Sequence, residues 1–282
     1  MSSTLYIVPT PIGNLEDITY RALSVLRKVN LIAAEDTRHT SLLLNHFSIN
    51  TPLFVFHAYN EKKRVPVLLS KLRLGHAVAL VSDAGTPLIN DPGYCLVRSC
   101  CLLGVRVVPL PGACAAITAL SASGLPTNRF CFEGFLPSRQ RVRINYLRKI
   151  FNETRTLIFY VSKYDMLNVL RDMVVVFGSE RYVVLVRELT KMWESIYRGV
   201  LKEVLDRVEH GQISIRGEIV LVVAGYCINK QKKREEMLSM EVRYIIDLLA
   251  KELPYRRVID LVVKICGVNK NMVYKYLLKE EI

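Results

Sequence analysis

The 282-residue chain lacks the signals of membrane insertion and of secretion. Its longest apolar stretches, such as Ile219 to Ala224 and Val174 to Phe177, have the length of a strand and fall far short of the roughly 20 residues that span a bilayer. The N-terminus shows no basic region followed by an apolar core, so no signal peptide is predicted. Because 51% of the residues are hydrophobic and 23% are charged, the chain can build full cores. We expect a folded, soluble protein that stays in the cytoplasm.

The cysteines show no pattern of disulfides or metal ligands. There are seven of them, an odd number, and none forms a Cys-x-x-Cys pair or stands at ligand spacing from a histidine. We predict that they are reduced, that most are buried as small apolar residues, and that the protein holds no metal.

What the chain does have is an excess of positive charge. The formal charge is +13 and the pI is near 9.5, which favours a polyanionic partner, because each phosphate that binds a basic side chain releases counterions. A general drift of the proteome toward basic residues would give the same balance. Residues 227–282 hold 12 basic and 8 acidic residues, a net +4, which leaves +9 for the rest. The charge therefore supports nucleic acid as a partner without locating it.

Short β-branched runs alternate with amphipathic stretches in the first half of the chain, as in a βαβ fold. The predicted strands are Leu5 to Val8, Leu31 to Ala34, Ala77 to Val81 and Val105 to Leu110. The predicted helices are Arg21 to Val29, a segment around Leu42 to His46, Pro66 to Leu74, Tyr94 to Leu103 and Ala113 to Ala122. We predict a mostly parallel sheet covered by helices. A helix-stop signal at residues 123–126 predicts a domain boundary there.

The second half predicts a mixed sheet, because its strands cluster toward the end. The predicted strands are Phe130 to Glu133, Thr156 to Val161, Tyr182 to Arg187, Ser195 to Val200 and Glu218 to Ala224, with helices Arg141 to Phe151 and Met166 to Val176. The polar run from Gln231 to Glu236 indicates a linker. The predicted fold class is α/β, with two α/β domains, residues 1–123 and 124–227, and a small helical domain, residues 235–282.

The last segment has the pattern of two helices joined by a tight turn. Pro254 stands at a helix start, apolar residues recur at helical spacing from Val258 to Ile265, and Gly267 interrupts the pattern. Such a pair resembles a helix-turn-helix, whose second helix carries candidate phosphate contacts. These are Lys270, Asn271, Tyr274, Lys275 and Lys279. A helical appendage that serves only packing or dimerisation explains the same pattern.

Four loops that leave the strands of the first predicted sheet carry the residues most capable of chemistry. Ligands of an open parallel sheet bind at the carboxyl ends of its strands, where such loops lie. The first loop, residues 8–19, is stiffened by prolines and has no Gly-x-Gly-x-x-Gly, so it suits the wall of a bulky ligand better than a dinucleotide cradle. The fourth, residues 110–117, turns into a helix of small residues. For the first loop the alternative is an ordinary strand-to-helix turn, and for the fourth it is close packing of the helix on the sheet.

The second and third loops hold the acidic residues. Residues 34–40 bring two carboxylates, a guanidinium and an imidazole together, which requires that they pair with one another or with a ligand. Capping of the next helix by Asp36 or Thr37 is the structural alternative. The third loop, residues 80–93, is polar and rich in glycine and proline, so its backbone can approach a ligand closely. On physical grounds it predicts a small-molecule or nucleotide pocket.

In this order and spacing the four loops resemble those of the tetrapyrrole methylase superfamily, and most closely its ribosomal RNA branch, the ribosomal RNA small subunit methyltransferase I family. The segments Ile7 to Asn14, Glu35 to Thr40, Ser82 to Gly93 and Phe132 to Pro137 carry the resemblance, which continues through Gly217 to Val220. It implies two α/β domains with S-adenosylmethionine in the cleft between them, commonly in a homodimer. It further implies 2'-O-methylation of a cytidine in the decoding region of 16S rRNA in the small ribosomal subunit.

The resemblance also implies which residues contact the methyl donor. They are Pro11 in the first loop, Asp83, Gly85, Thr86, Pro87 and Ile89 in the third, Cys114 and Ala115 in the fourth, and Gly217 and Glu218 in the second domain. Methyl transfer to a ribose hydroxyl requires alignment with the donor and removal of the hydroxyl proton. We hypothesise that Glu35 or Asp36 acts as, or positions, the general base and that Arg38 steers an RNA phosphate.

Basic side chains after the turn at residues 135–137 form the candidate RNA-facing strip. They are Arg139, Arg141, Arg143, Arg148 and Lys149. A solvated helix face is the alternative.

Three stretches depart from the pattern of the family. After the strand that ends at Tyr160, relatives typically continue with a glutamate, a serine and a His-Arg pair, whereas this chain has Val161-Ser162-Lys163-Tyr164-Asp165. Ala58-Tyr59 stands where an acidic or polar residue and a second histidine often follow the equivalent of His57, and Ala113 replaces a usual proline.

Two other functions compete with a ribose methyltransferase. A small-molecule methylase of the same fold that acts on a porphyrin-like ring would require neither the basic balance nor the C-terminal helices. A nucleic-acid-binding regulator that works through its helix-turn-helix would leave the polar loops unexplained. Calorimetry with S-adenosylmethionine distinguishes the second alternative from a methyltransferase, because a pure nucleic-acid-binding module should not bind the donor.

Overall fold

The computed structural model describes residues 3–227, 240–250 and 252–279, which belong to two compact units. The described residues up to Tyr226 form a unit with two β-sheets, and the described residues from Cys227 onward form a helical unit. The predicted linker, residues 231–236, and the predicted start of the third domain at residue 235 lie outside the described residues. The predicted domain boundaries stay predictions.

The first sheet is entirely parallel. Its strands are β1 (Thr4–Ile7), β2 (Leu31–Ala34), β3 (Leu53–Val55), β4 (Val78–Val81) and β5 (Arg106–Pro109). Their order across the sheet is β3-β2-β4-β1-β5. Every residue of the central strand β4 is buried, as its uninterrupted apolar run predicts for a strand covered on both faces.

Helices cover both faces of this sheet. They are α1 (Tyr20–Lys28), α2 (Thr37–His46), α3 (Glu61–Arg73) and α4 (Tyr94–Leu102); a 3-10 turn at Leu15–Asp17 precedes α1, and a fifth helix, α5 (Ala115–Ser123), follows β5. Side chains of α1 and α2 pack with Ala79 and Val81 of β4, and side chains of α3 and α4 pack with Val78 and Leu80. Alternate residues of one strand therefore belong to two separate cores.

The second sheet is mixed, which confirms the prediction for this half of the chain. Its strands are β6 (Phe130–Phe135), β7 (Thr156–Val161), β8 (Tyr182–Arg187), β9 (Ser195–Val200) and β10 (Ile219–Val223). Their order is β6-β7-β10-β8-β9, in which only β6 and β7 run parallel. One face is covered by α6 (Gln140–Lys149), α7 (Met166–Phe177) and α8 (Leu201–Glu209).

The other face of the second sheet is covered by α5, the helix that follows the last strand of the first sheet. Ala116, Ala119 and Leu120 of α5 are buried against Ile158 of β7 and Val222 of β10. The small side chains of α5 allow the helix to lie close to the strands. The helix that follows the first sheet in sequence thus packs on the second sheet.

Three elements differ from the predicted ones. Strand β3 was not predicted, because a three-residue edge strand is too short to show a period. Helix α8 was not predicted either, because it follows β9 without a loop and no turn signal marks its start. Helix α3 begins at Glu61 rather than at Pro66, and the buried side chains of Val65, Leu68 and Leu72 show why packing outweighs the interior proline.

The helical unit contains α9 (Met240–Ala250), α10 (Tyr255–Cys266) and α11 (Lys270–Lys279). Its core is formed by Ile246, Val258, Ile259, Val262, Val273 and Leu277. Pro254 precedes α10 and Gly267, with φ +65°, ends it, so the predicted tight turn joins α10 to α11. Within the described parts of the chain, no helix has the length and apolar character needed to cross a membrane.

All seven cysteines are free thiols, but the prediction that most of them are buried is wrong. Cys100 is buried in α4, four others are half-buried, and Cys101 and Cys227 are exposed. Burial, with a smaller contribution from Cys101, raises the pKa of the Cys100 thiol to about 11. Consecutive helix residues point in different directions, so Cys101 cannot share the burial of Cys100.

Candidate active site

The predicted loops meet at the carboxyl edge of the first sheet, and the third loop bonds to the other three. The amides of Thr10 and Gly85 each donate to the carbonyl of the other, at 2.9 and 3.0 Å. The amide of Asp36 donates to Oδ1 of Asp83 at 3.0 Å. The hydroxyl of Thr86 donates to a carbonyl of the fourth loop at 2.9 Å. These bonds hold the four loops together at the carboxyl ends of the strands.

A cavity of about 780 Å³ lies between the two sheets. Eight of the ten predicted donor contacts line it, namely Asp83, Gly85, Thr86, Ile89, Cys114, Ala115, Gly217 and Glu218. The other two, Pro11 and Pro87, do not line it. Pro11 is half-buried next to Ile12, which does line the cavity, and Pro87 is buried within the third loop. Gly85 has φ +81° and a Cβ there would stand 3.3 Å from Ile12, so this turn requires glycine. The part that each residue plays in donor binding stays a prediction.

Three carboxylates, those of Glu35, Asp83 and Asp91, face the cavity from the first sheet. Burial, followed by the negative charges of Asp91 and Asp83, raises the pKa of Glu35 to about 6, although a hydrogen bond from the Asp83 amide opposes the rise. Burial also raises the pKa of Asp91 against a hydrogen bond from Ser82. This wall therefore favours a ligand that carries positive charge, and Glu35 can exchange a proton near neutral pH.

Asp36 and Arg38 bond to each other outside the cavity. Asp36 caps α2, accepting from the Arg38 amide at 2.8 Å, and the Arg38 guanidinium donates to both carboxylate oxygens at 3.1 and 2.7 Å. These bonds hold the pKa of Asp36 well below its usual range, so its carboxylate is a poor proton acceptor. This pairing makes Asp36 the weaker candidate for the general base and Glu35 the stronger one, and the role of each stays a prediction. The steering of RNA by Arg38, whose side chain is 90% exposed, stays a prediction.

The wall contributed by β6 and β7 was missing from the predicted site. It is lined by Phe135, Tyr160, Val161, Ser162, Lys163 and Tyr164. The ring of Tyr160 stands edge-on to Phe132 and Phe135, at centroid distances of 4.9 and 5.6 Å, and burial raises its pKa to about 12. The signal in the sequence was a polar segment directly after the buried strand β7, the same signal that marked the loops of the first sheet. The departure from the family pattern at Val161 lies in the cavity wall.

The second wall of the cavity is the one contributed by the second sheet, and it includes Glu188, Lys191 and Glu218. Lys191 joins two segments of this wall. Its Nζ donates to Oε1 of Glu188 at 2.9 Å and to Oε2 of Glu218 at 2.6 Å, and the Glu218 amide donates to the same Glu188 oxygen at 2.8 Å. Burial acts to raise the pKa of Glu188, but the bonds from Glu218 and Lys191 outweigh it and lower that pKa. The carboxylate of Glu218 thus already has a cationic partner.

We expect Gly217→Ala to destabilise the first unit more than Gly211→Ala does. Both glycines have positive φ, +85° and +70°, so alanine strains the backbone of each by roughly 1 kcal/mol. Only at Gly217 would the new methyl group meet another residue, 2.2 Å from Oε1 of Glu188, whereas Gly211 has open space. Denaturant unfolding of both variants measures the difference, and equal free energies of unfolding would contradict this packing.

The predicted RNA-facing strip divides into an exposed part and a buried residue. Arg139, Arg141, Arg148 and Lys149 are exposed on α6 or at its N-cap. Arg143 is only 2% exposed, and its guanidinium donates to Asp172 at 2.7 Å and to the carbonyls of residues 137 and 138. The prediction that Arg143 faces RNA is wrong, because helical periodicity turns it away from the side on which Arg141 lies.

The second helix of the predicted pair, α11, presents polar residues to solvent. Lys270, Asn271, Tyr274 and Lys275 are exposed, while Val273 and Leu277 are buried. The side chain of Lys279 lies outside the described residues. Contact of this face with RNA stays a prediction, as does a role in packing alone.

The fold matches that of a family of methyl-transferring enzymes. Residues 4–205 match the sequence profile of the Tetrapyrrole (Corrin/Porphyrin) Methylases. The chain is similar in structure to a uroporphyrin-III C-methyl transferase from Thermus thermophilus complexed with S-adenyl homocysteine, with 18% identity, a TM-score of 0.55 and coverage of 78% of this chain and 97% of that one. A diphthine synthase gives a TM-score of 0.59 at 14% identity, covering 78% of this chain and 90% of that one. The class is that of the tetrapyrrole methylases.

Sequence similarity places the chain within one branch of this class. It is 55% identical to the ribosomal RNA small subunit methyltransferase I of Escherichia coli, over 98% of this chain and 95% of that protein. It is 48% identical to the enzyme of the same name in Haemophilus influenzae, over 98% and 96% of the two chains, and 49% identical to that of Pseudomonas aeruginosa, over 99% and 98%. The chain therefore belongs to the ribosomal RNA small subunit methyltransferase I family and is a methyltransferase.

Proposed function

We propose that this enzyme transfers a methyl group from S-adenosylmethionine to the ribose 2'-hydroxyl of a cytidine in the decoding region of 16S rRNA. The observation that carries the proposal is near-full-length similarity to relatives named as methyltransferases of small-subunit ribosomal RNA. A formal charge of +13 supports a polyanionic substrate. The choice of cytidine and of its ribose rests on the family resemblance.

The cavity suits S-adenosylmethionine in charge and in shape. Its volume of about 780 Å³ is typical of a small-molecule site, and its three carboxylates would attract the sulfonium and ammonium groups of the donor. Gly85, Thr86, Cys114, Ala115 and Gly217 would hold the donor, because their small side chains leave room along the wall. When bound, the donor would supply a methyl carbon on a positively charged sulfur, with the neutral sulfide as the leaving group when the ribose oxygen bonds to that carbon.

Glu35 is the residue of this chain that can assist the ribose hydroxyl. A hydroxyl is a poor nucleophile until it loses its proton, and a general base must accept that proton as the new oxygen–carbon bond forms. With a pKa of about 6, Glu35 is ionised at neutral pH and remains more basic than an ordinary carboxylate. The hydrogen bond from the Asp83 amide holds its carboxylate at the cavity wall.

Methylation of small subunits tests the proposal. Purified protein is incubated with labelled S-adenosylmethionine and with small subunits, or naked 16S rRNA, from cells that lack the protein. We expect the label in one alkali-resistant dinucleotide that contains cytidine, because a methylated 2'-oxygen cannot cleave the neighbouring phosphodiester. Mapping ribose methylation in RNA from cells with and without the protein gives the position. Label in a base, or transfer to a porphyrin-like ring and not to RNA, would overturn the proposal.

We expect simultaneous alanine replacement of Arg139, Arg141, Arg148 and Lys149 to weaken binding of small subunits and to flatten its salt dependence. Each phosphate contact that is lost should reduce the slope of log affinity against log salt by about 0.7 to 0.9. These side chains lie outside the cavity lining, so donor affinity measured by calorimetry should not change. An unchanged salt slope would show that this face of α6 is only solvated.

The family resemblance further leads us to propose a homodimer that works in the cytoplasm. Light scattering of the purified protein measures its mass, and a value of one chain would contradict the dimer.

A further inference from the structure

The two walls of the cavity differ in charge. The first-sheet wall presents the carboxylates of Glu35, Asp83 and Asp91. The second wall presents Lys163 and Lys191 together with the carboxylates of Glu188 and Glu218, and Lys191 is bonded to both of these. Lys163 is exposed and makes no ion pair within residues 3–227, the described part of its unit. A phosphodiester that enters the cavity is therefore repelled from the first wall and attracted to Lys163.

Tyr164 presents an uncovered aromatic ring beside this lysine. The side chain is 82% exposed, it lines the cavity directly after β7, and Nζ of Lys163 lies 5.0 Å from its ring centroid. In the same wall, Phe135 and Tyr160 contact each other edge-on. Within the described ranges Tyr164 has no aromatic neighbour, so its ring is available to stack on a flat group.

We propose that Tyr164 and Lys163 position the target nucleotide, with the base stacked on the tyrosine ring and the adjacent phosphate bound by the lysine ammonium. Unpaired bases of RNA bind proteins mainly by stacking on aromatic side chains, and lysine binds phosphate as a point charge. The placement keeps the anionic part of the nucleotide on the wall opposite the carboxylates of Glu35, Asp83 and Asp91. This inference rests on the proposed function and adds the residues that recognise the substrate.

Steady-state kinetics with small subunits test the assignment in Tyr164→Ala, Tyr164→Phe and Lys163→Gln. Tyr164→Ala should raise KM for small subunits by about 5- to 100-fold, the range of one lost base stack. Tyr164→Phe should restore most of the affinity, because the ring and not the hydroxyl stacks. Lys163→Gln should reduce the salt slope of binding by about 0.7 to 0.9, the effect of one phosphate. Calorimetric affinity for S-adenosylmethionine should stay within about twofold of wild type in all three.

Tyr182→Ala and Lys202→Gln are matched controls at the other end of the second sheet. Tyr182 pairs with Val200, just before α8 begins at Leu201, whereas the cavity lies at the Arg187 and Ile219 end of β8 and β10. We expect both controls to leave KM unchanged.

The outcomes separate this inference from the proposed function. If the wild type methylates small subunits and Tyr164→Ala does so with an unchanged KM, the assignment is overturned while the function stands. If Tyr164→Ala instead loses donor affinity, the ring belongs to the donor site and the assignment is also overturned. If the wild type transfers no methyl group to small subunits, both proposals fail together.

Discussion

Glu35→Gln should lower the rate of methyl transfer to small subunits by about 10²- to 10⁴-fold, the contribution of a well-placed general base. Glutamine keeps the size of the side chain but cannot accept the proton. Because Asp83 and Asp91 still line the cavity, most of the attraction for a cationic donor should remain. Single-turnover kinetics with saturating donor measure the rate, and calorimetry measures donor affinity separately.

The pH dependence of the wild type should carry the signature of the same group. Burial and two neighbouring carboxylates raise the pKa of Glu35 to about 6, so the carboxylate is ionised above that pH and protonated below it. A general base must be ionised, and the rate should therefore fall as the pH falls through the pKa. A positive donor beside Glu35 favours the ionised form, so the midpoint should lie at or below about pH 6. Glu35→Gln should lose this acid limb.

Asp36→Asn is the matched control, since it makes the same chemical change at the next residue. Asparagine is nearly as good a helix cap as aspartate, so α2 should keep its start, while the ion pair with Arg38 is lost at the surface. We expect a rate close to that of the wild type. Equal losses in both variants, or a Glu35→Gln defect that saturating donor abolishes, would contradict Glu35 as the base.

The second large effect concerns stability rather than catalysis. Asp172→Ala should lower the free energy of unfolding by about 3 to 5 kcal/mol, because it leaves a buried guanidinium without its carboxylate. The side chains of Arg143 and Asp172 are only 2% and 3% exposed, and Nε of Arg143 lies 2.7 Å from Oδ2 of Asp172. The same carboxylate also accepts from Gln140 at 3.0 Å. Denaturant unfolding monitored by circular dichroism gives the value.

Asp206→Ala provides the comparison for Asp172→Ala. Asp206 also lies in a helix, and its carboxylate pairs with Lys202 at 2.7 Å, but the two side chains are 41% and 55% exposed. A surface pair of this kind contributes about 0 to 1 kcal/mol, and the gain in helix propensity on replacing aspartate by alanine is common to both variants. Similar losses at the two positions would show that burial does not decide the strength of the Arg143–Asp172 pair.

Hydropathy alone predicted most of the fold, because strand and helix periods persist wherever a face is buried. Strands such as β4 and β7 were predicted within about one residue, since each is apolar and ends at a polar loop. Arg143 shows where this reasoning fails. In the sequence it is one of five basic residues, and only the helix phase and the distant Asp172 determine that it is buried.

The candidate site was predicted on the wall of the first sheet and only in part on the wall of the second, where Gly217 and Glu218 were named but the segment after β7 was missed. Loops after parallel strands carry a known positional rule, which brought Glu35, Asp83 and Cys114 to one edge. The part that was missed follows the ends of β6 and β7, which do run parallel, but the sequence predicted a mixed sheet without showing which of its strands are parallel. The sequence also left open which carboxylate pairs with Arg38, because two adjacent acidic residues differ only in which way they face.

Helix α5 determines how the enzyme can admit its ligands. Its first turn, with Cys114 and Ala115, bounds the cavity on the side of the first sheet, yet its buried face lies on the second sheet. Spreading the two walls apart would pull Ala116, Ala119 and Leu120 from their contacts and expose them to water. This packing opposes separation of the two walls, so we expect donor and product to enter and leave without it. The carboxylates would then already be assembled when each donor arrives, which reduces the cost of binding.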